Sequence, residues 1–103
     1  MSLVMILRYK GEGDAARRFA EEMVSSGLVQ RIRDEPGNES YEYFFPMEDQ
    51  ESVVLIDAWK DQSALDFHHA SPMIGEIMDL RNKYGLKMSA QRLISDDRAS
   101  ERW

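Results

Sequence analysis

Val53-Val-Leu-Ile-Asp-Ala-Trp-Lys-Asp-Gln-Ser-Ala-Leu-Asp-Phe-His-His-Ala-Ser-Pro72 is the stretch that decides the fold. It opens with a continuous apolar run typical of a buried strand, which is predicted to end at Trp59. A turn follows, and then a short helix, residues 63–70, carries the two histidines of the chain, His68 and His69. A large aromatic ring at a strand end and an ionisable ring on the next helix can border one cavity. This segment is therefore the candidate site as well.

The remainder of the chain supplies three more strands and two more helical segments. They are predicted as a strand at Leu3–Tyr9, a helix from Asp14 to about Arg33 that Gly27 weakens or ends, a strand at Tyr41–Pro46, a helix from Ser71-Pro72 to Tyr84, and a strand at Leu86–Ser95. The resulting order, β-α-β-β-α-β with the second helical unit split, is typical of an α+β ferredoxin-like fold with a four-stranded antiparallel sheet. We expect a single domain over residues 1–96, followed by a polar C-terminal tail at 97–103.

Two of the predicted strands carry bulky apolar side chains on both faces. Tyr41-Glu-Tyr-Phe-Phe45 and Val53-Val-Leu-Ile56 lack the apolar–polar alternation of a strand with one solvated face. Two helical units cover only one face of a four-stranded sheet, so a second copy of the sheet is the economical cover for the other. The sequence therefore predicts a homodimer that packs through its sheet faces. The alternative is a monomer with an exposed apolar face, which would be prone to aggregate.

Composition excludes several classes of protein. The net charge of −6, from 19 acidic and 13 basic residues, disfavours nucleic acid, whose phosphates would be repelled. The absence of cysteine excludes disulfide frameworks and thiolate zinc sites. No apolar run reaches the ~18 residues that a membrane-spanning helix needs, so we expect a cytoplasmic protein without a membrane partner.

An ordered set of short motifs resembles the antibiotic biosynthesis monooxygenase family. The motifs are Glu35-Pro-Gly-Asn38, Tyr41-Glu-Tyr43, Glu48-Asp49, Asp57-Ala-Trp59, and Ala64-Leu65 with His68 and Ser71-Pro72. The resemblance extends from Leu3 to Asp96 and implies a dimeric α/β barrel. It also implies a monooxygenase that uses dioxygen as co-substrate, without a metal, flavin or other cofactor, on a small aromatic hydroquinone or phenol. The alternatives on the same barrel are an isomerase and a non-catalytic dimer that binds a small ligand.

His68 is the candidate catalytic base. It shares a helix face with Ala64 and Leu65, so it is expected to point inward, and an imidazole can accept a phenolic proton near neutral pH. The alternative is a core histidine that donates to a backbone carbonyl. Adjacent helical residues diverge, so we do not expect His68 and His69 to chelate one metal ion.

A second group of residues is predicted to bind the substrate. These candidates are Trp59, Tyr43, Phe45, Asn38, Met73 and Ile77. The sequence leaves open which face of the second strand lines the cavity, since Phe44 would replace the tyrosines there if the parity were reversed. Arg8 and Arg92 lie on strands that the fold places side by side, with Asp57 on the next strand beyond Arg8. An ion pair among them is expected, and the alternative is that the arginines anchor an anionic substrate.

Overall fold

The computed structural model describes residues 1–96, and the predicted tail at 97–103 lies outside the described residues. Its elements are β1 Leu3–Lys10, α1 Ala15–Ser25, α2 Leu28–Arg33, β2 Asn38–Phe44, β3 Ser52–Trp59, α3 Gln62–His69, α4 Met73–Lys83 and β4 Lys87–Ile94. The four strands form one antiparallel sheet in the order β2-β3-β1-β4. The predicted α+β ferredoxin-like fold is confirmed. Within residues 1–96 no helix is long and apolar enough to cross a membrane.

Local sequence signals set the ends of several helices. The single helix expected up to Arg33 is two helices, because Gly27 adopts a left-handed φ of 84° that breaks the hydrogen-bonded ladder between α1 and α2. Helix α3 begins after Asp61, whose Oδ1 accepts a hydrogen bond from the Ala64 N–H at 2.9 Å. Just before α4, whose N-cap is Pro72, Oγ of Ser71 accepts a hydrogen bond from the Met73 N–H at 3.1 Å.

The strand register fixes which side chains face the helices. Met5 lies directly opposite Asp57 on β3 and Arg92 on β4, and Tyr41 on β2 also lies opposite Asp57. Directly opposed residues of antiparallel strands project to the same side, so these four share the helix-covered face. Trp59, two residues beyond Asp57, faces the helices as well. Phe44 is on the outer face, which resolves the parity that the sequence left open.

The core fills the space between that sheet face and the helices. Its fully buried large side chains come from helices and strand alike: Phe19, Met23, Ile32, Leu55 and Trp59. The outer face has no cover from the described residues, yet it is apolar at its centre. Val4, Ile6, Val54 and Ile56 are half-buried there, and Phe44 and Leu93 are 44 % and 45 % exposed. This uncovered outer face is the surface that the sequence assigned to a second subunit.

Candidate active site

A cavity of about 220 Å³ lies between the helix-covered face of the sheet and helices α3 and α4. Its lining is mostly apolar, with a few polar groups, which is the usual make-up of a small-molecule site. The strands contribute Met5, Leu7, Tyr9, Tyr41, Leu55, Asp57 and Met88, and the helices contribute Leu65, His68, His69, Ile74, Ile77, Met78 and Arg81. The cavity therefore brings two imidazoles, one carboxyl group, two phenols and the guanidinium of Arg81 into a largely apolar space.

His68 is held in the cavity wall by contacts on two sides. Its Nδ1 lies 2.6 Å from Oε1 of Glu35, and both side chains are buried, with exposures of 6 % and 5 %. The ring stacks on the indole of Trp59 at a centroid distance of 4.7 Å and an interplanar angle of 25°. Packing and hydrogen bonding thus fix the orientation of the imidazole.

The turn at 35–38 explains how Glu35 reaches His68 from a distant part of the sequence. Gly37 has a left-handed φ of 80°, and a Cβ there would lie 2.4 Å from Cβ of Ala64 on α3. The Lys60 N–H donates to the Gly37 carbonyl at 2.8 Å, which ties the turn to the end of β3. Only glycine permits so close an approach to α3, and this approach places Glu35 beside His68, one turn along from Ala64.

The environment of His68 favours a neutral imidazole. Burial lowers the pKa of His68 because it disfavours the imidazolium, and the Glu35 carboxylate offsets part of that effect. With Nδ1 donating its hydrogen to Oε1 of Glu35, Nε2 is left with its lone pair. Among residues 1–96, Nε2 of His68 makes no hydrogen bond. The arrangement supplies an oriented proton acceptor in the cavity wall.

The strand side of the cavity carries further ionisable groups. Asp57 is 4 % exposed, and burial raises the pKa of its carboxyl from 3.8 to about 6, an effect partly offset by the indole of Trp59 and by its own backbone N–H. Burial raises the pKa of Tyr9 to about 12 and that of Tyr41 well above its usual range. Both tyrosines are therefore protonated near neutral pH, and their hydroxyls can donate hydrogen bonds.

The structure distributes the predicted site residues over several places. Ile77 lines the cavity together with His68, whereas Trp59 is fully buried behind the imidazole. Tyr43 and Phe45 instead border a shallow groove beside α1, where the guanidinium of Arg17 lies 4.3 Å from the Phe45 ring centroid.

Two further candidates also lie away from the cavity lining. Asn38 is on the surface, and its amide donates to the Ser40 carbonyl at 3.1 Å. Met73 is buried at the start of α4, in the core. The cavity thus gathers His68 and Ile77 from the predicted set, with Tyr41 beside them.

The predicted set lacks two residues of the site, one behind the cavity wall and one in its lining. Glu35, which contacts His68 but does not line the cavity, belongs to a turn motif, and no local signal pairs it with a histidine 33 residues away. Tyr9 follows the alternation of Leu3, Met5 and Leu7 on β1, so the period of two along that strand could have revealed it.

The expected ion pair of Asp57 is not found among residues 1–96. Arg8 is on the outer face of the sheet and pairs with Asp49 at 3.3 Å. Arg92 shares the face of Asp57 but donates to Gln62 on α3. In the same range of residues, no group of three His, Cys, Asp or Glu side chains is placed to hold a metal ion.

A family model matches most of the chain. The sequence model described as "Antibiotic biosynthesis monooxygenase" matches residues 2–80. A curated relative, the "Putative monooxygenase YcnE" of Bacillus subtilis, is 37 % identical over 51 residues, which cover 48 % of this chain and 54 % of that protein. A second, "Uncharacterized protein sll1783" of Synechocystis, is matched over 38 % of its length. The chain thus spans about half or less of the curated relatives that it matches.

Solved structures share the whole fold at low sequence identity. A "putative antibiotic biosynthesis monooxygenase" from Deinococcus radiodurans superposes with a TM-score of 0.80 at 14 % identity, covering 92 % of this chain and 93 % of that one. SnoaB of Streptomyces nogalater, described as a cofactor-independent oxygenase, gives a TM-score of 0.76 at 14 % identity, with 93 % and 94 % covered. At this identity the likeness establishes the fold alone.

Proposed function

We propose that the chain, which belongs to the antibiotic biosynthesis monooxygenase family, is a cofactor-independent oxygenase that inserts one atom of dioxygen into a small hydroquinone or phenol. The observation that carries the proposal is the buried His68–Glu35 pair in the wall of a mostly apolar cavity. SnoaB, which has the same fold, is described as a cofactor-independent oxygenase.

His68 would act as the general base. A neutral imidazole with Nδ1 bound to Glu35 and Nε2 unbonded can take the proton of a phenolic hydroxyl, and the glutamate stabilises the imidazolium that forms. Removing that proton makes the aromatic ring electron-rich. The resulting anion then reduces dioxygen directly, so the substrate itself supplies the electrons.

The reaction balances without another reductant. A hydroquinone and one dioxygen yield one hydroxyquinone and one water: one oxygen atom forms a new C–O bond, and the other leaves as water. Simple autoxidation instead yields a quinone and hydrogen peroxide, with no new C–O bond. Product and peroxide measurements therefore separate the enzymatic reaction from the background.

The size of the cavity limits the substrate. An apolar cavity of about 150 Å³ accommodates benzene, so a space of about 220 Å³ suits a substrate with a single aromatic ring or two fused rings. The apolar walls, among them Leu55, Leu65 and Ile77, would exclude water from the anion. Trp59, Tyr43, Phe45, Asn38 and Met73 do not line this space, so a direct contact with substrate is proposed for Ile77 alone among the predicted binding residues.

We further propose that the outer face of the sheet is covered by a second copy of the chain. Val4, Ile6, Val54 and Ile56 form a continuous apolar centre on that face. A twofold contact of this apolar face with the same face of a second copy would close the dimeric α/β barrel. The proposed partners are thus a second protomer of the chain and a small aromatic substrate.

The direct test is oxygen uptake by metal-stripped protein with one- and two-ring hydroquinones. We expect uptake above autoxidation in the wild type, and a loss of about 10²–10⁴-fold in His68→Asn, which keeps an amide donor near the Nδ1 position but removes the base. Glu35→Gln should lose part of the rate, whereas the matched exposed variant Glu39→Gln should keep it. Thermal unfolding of each variant confirms that it is folded.

The alternative functions predict different results in the same assay. An isomerase turns over under nitrogen, and a ligand-binding protein shows saturable binding without product. Uptake that survives His68→Asn would leave an oxygenase with a different base. No uptake with any substrate in the panel, from folded protein, would contradict the proposal.

A further inference from the structure

Three of the residues that line the cavity are also exposed to solvent: His69 on α3, Met78 on α4 and Met88 on β4. The two methionine side chains are 50 % and 39 % exposed, whereas Leu55 in the same lining is 1 % exposed. Side chains that border both the cavity and the solvent mark the mouth of the cavity. An aromatic ligand that enters therefore passes two thioethers.

Met88 remains accessible in the dimer proposed above. The strand register places it directly opposite Tyr9, so it projects towards the helix-covered face of the sheet and away from the outer face. Its strand, β4, is also an edge of the sheet. Met78 belongs to a helix on the same side of the sheet. A second copy on the outer face would thus leave both side chains open to solvent.

The thioether of methionine is apolar, and hydrogen peroxide oxidises it where it is exposed. The sulfur donates an electron pair to one peroxide oxygen, an S–O bond forms as the O–O bond breaks, and the second oxygen leaves as water. The product is a polar sulfoxide, which binds water at a mouth that was apolar. A ligand whose ring contacts these side chains then has to displace that water, so its binding weakens.

We propose that Met78 and Met88 form a modification site, at which oxidation to methionine sulfoxide weakens the binding of aromatic ligands in the cavity. The inference goes beyond the proposed oxygenase, because it requires only that the cavity binds an aromatic ring and not that the ring is oxygenated. The proposed substrate class also provides the oxidant, since hydroquinones release hydrogen peroxide on autoxidation. Hydroquinone that autoxidises before it is bound would lower the affinity of the cavity for the remainder.

Two other methionines of the chain serve as internal standards. Met47, in the loop between β2 and β3, is 91 % exposed and does not line the cavity. Met23 is fully buried in the core. Because reaction with peroxide follows exposure, a dose can be chosen that converts Met47 and leaves Met23 reduced. At that dose the core is chemically unchanged.

The test combines peptide mass spectrometry with calorimetry of 1-naphthol binding under nitrogen, before and after this peroxide dose. In the wild type we expect sulfoxide at Met78 and Met88 and a Kd that is about tenfold higher. The double variant Met78→Leu/Met88→Leu keeps apolar side chains of similar volume, so its Kd should change by less than about twofold. The matched variant Met47→Leu should weaken as the wild type does.

A permanent polar change at the same positions tests the effect without peroxide. Met78→Gln/Met88→Gln should raise the Kd of 1-naphthol about tenfold, whereas Met47→Gln should leave it unchanged. The inference is overturned by an unchanged Kd after conversion of both methionines, or by an equal loss of affinity in the double leucine variant. It is also overturned if both methionines stay reduced when Met47 is converted, or if the untreated wild type does not bind 1-naphthol. Oxygen uptake has no part in these measurements, so they fail or succeed separately from the oxygenase.

Discussion

Relative to the wild type, the Asp57→Asn variant should gain stability as the pH rises from acidic to neutral. Burial raises the pKa of this carboxyl from 3.8 to about 6, so the folded protein holds a proton that the unfolded chain has already lost between these values. Where the native state binds more protons, stability falls as pH rises. The asparagine variant is never ionised and escapes that loss.

The magnitude follows from the difference between the two pKa values. Each pKa unit is worth about 1.4 kcal/mol, so ionisation of Asp57 costs about 3 kcal/mol once the pH is well above 6. Part of this loss of stability is already present at pH 4, so about 2 kcal/mol of it should be added between pH 4 and pH 7.5. The 4 % exposure of Asp57 leaves little solvent to screen the effect.

Urea unfolding at both pH values, at one protein concentration, measures this directly. The free energy of unfolding of Asp57→Asn minus that of the wild type should rise by about 2 kcal/mol from pH 4 to pH 7.5. For the exposed α4 variant Asp79→Asn, the corresponding difference from the wild type should change by less than about 0.5 kcal/mol between the two pH values. A difference that stays constant with pH, or falls, would contradict the raised pKa that burial gives Asp57.

Three further predictions concern the base, the turn and the outer face. Glu35→Gln removes the group that raises the pKa of His68, so the acidic limb of the kcat/KM profile for oxygen uptake should move to lower pH; an unmoved limb contradicts the pairing. Gly37→Ala should lower the free energy of unfolding in urea by about 2 kcal/mol or more. An alanine at position 37 would have to adopt a left-handed φ, and its Cβ would clash with Cβ of Ala64. Gly13→Ala, with a φ of 60° and open space around it, should cost less, and equal losses would refute the clash. Ile56→Lys places a charge on the outer face and should give monomers in sedimentation equilibrium, whereas an unchanged mass would exclude that face as the interface.

The fold was predictable because its signals are local and periodic. The apolar run into Trp59 and the stripe of α1 each identify one element, and their order admits few topologies. The break at Gly27 was harder to judge, since Leu28 and Ile32 continue the register of α1 while the backbone turns between them. A side-chain pattern does not report a single left-handed residue.

The site was less predictable because it depends on strand register and on contacts between distant segments. In Tyr41-Glu-Tyr-Phe-Phe45 both faces are apolar, so no pattern within the strand tells which face the helices cover. The strand register determines which face the helices cover. The same register places Arg8 opposite Val54 rather than Asp57, so Arg8 and Asp57 project from opposite faces of the sheet. The 33-residue separation between Glu35 and His68 is closed by a glycine turn whose contact with α3 is tertiary.

The origin of the oxygen in the product tests the central claim most directly. Metal-stripped protein would be loaded with 1,4-dihydroxynaphthalene under nitrogen and then exposed to ¹⁸O₂, with the product analysed by mass spectrometry. The account predicts a hydroxynaphthoquinone that carries one ¹⁸O atom, one equivalent of labelled water, and little product in His68→Asn. An unlabelled quinone with hydrogen peroxide, formed equally fast by the wild type and the variant, would contradict it.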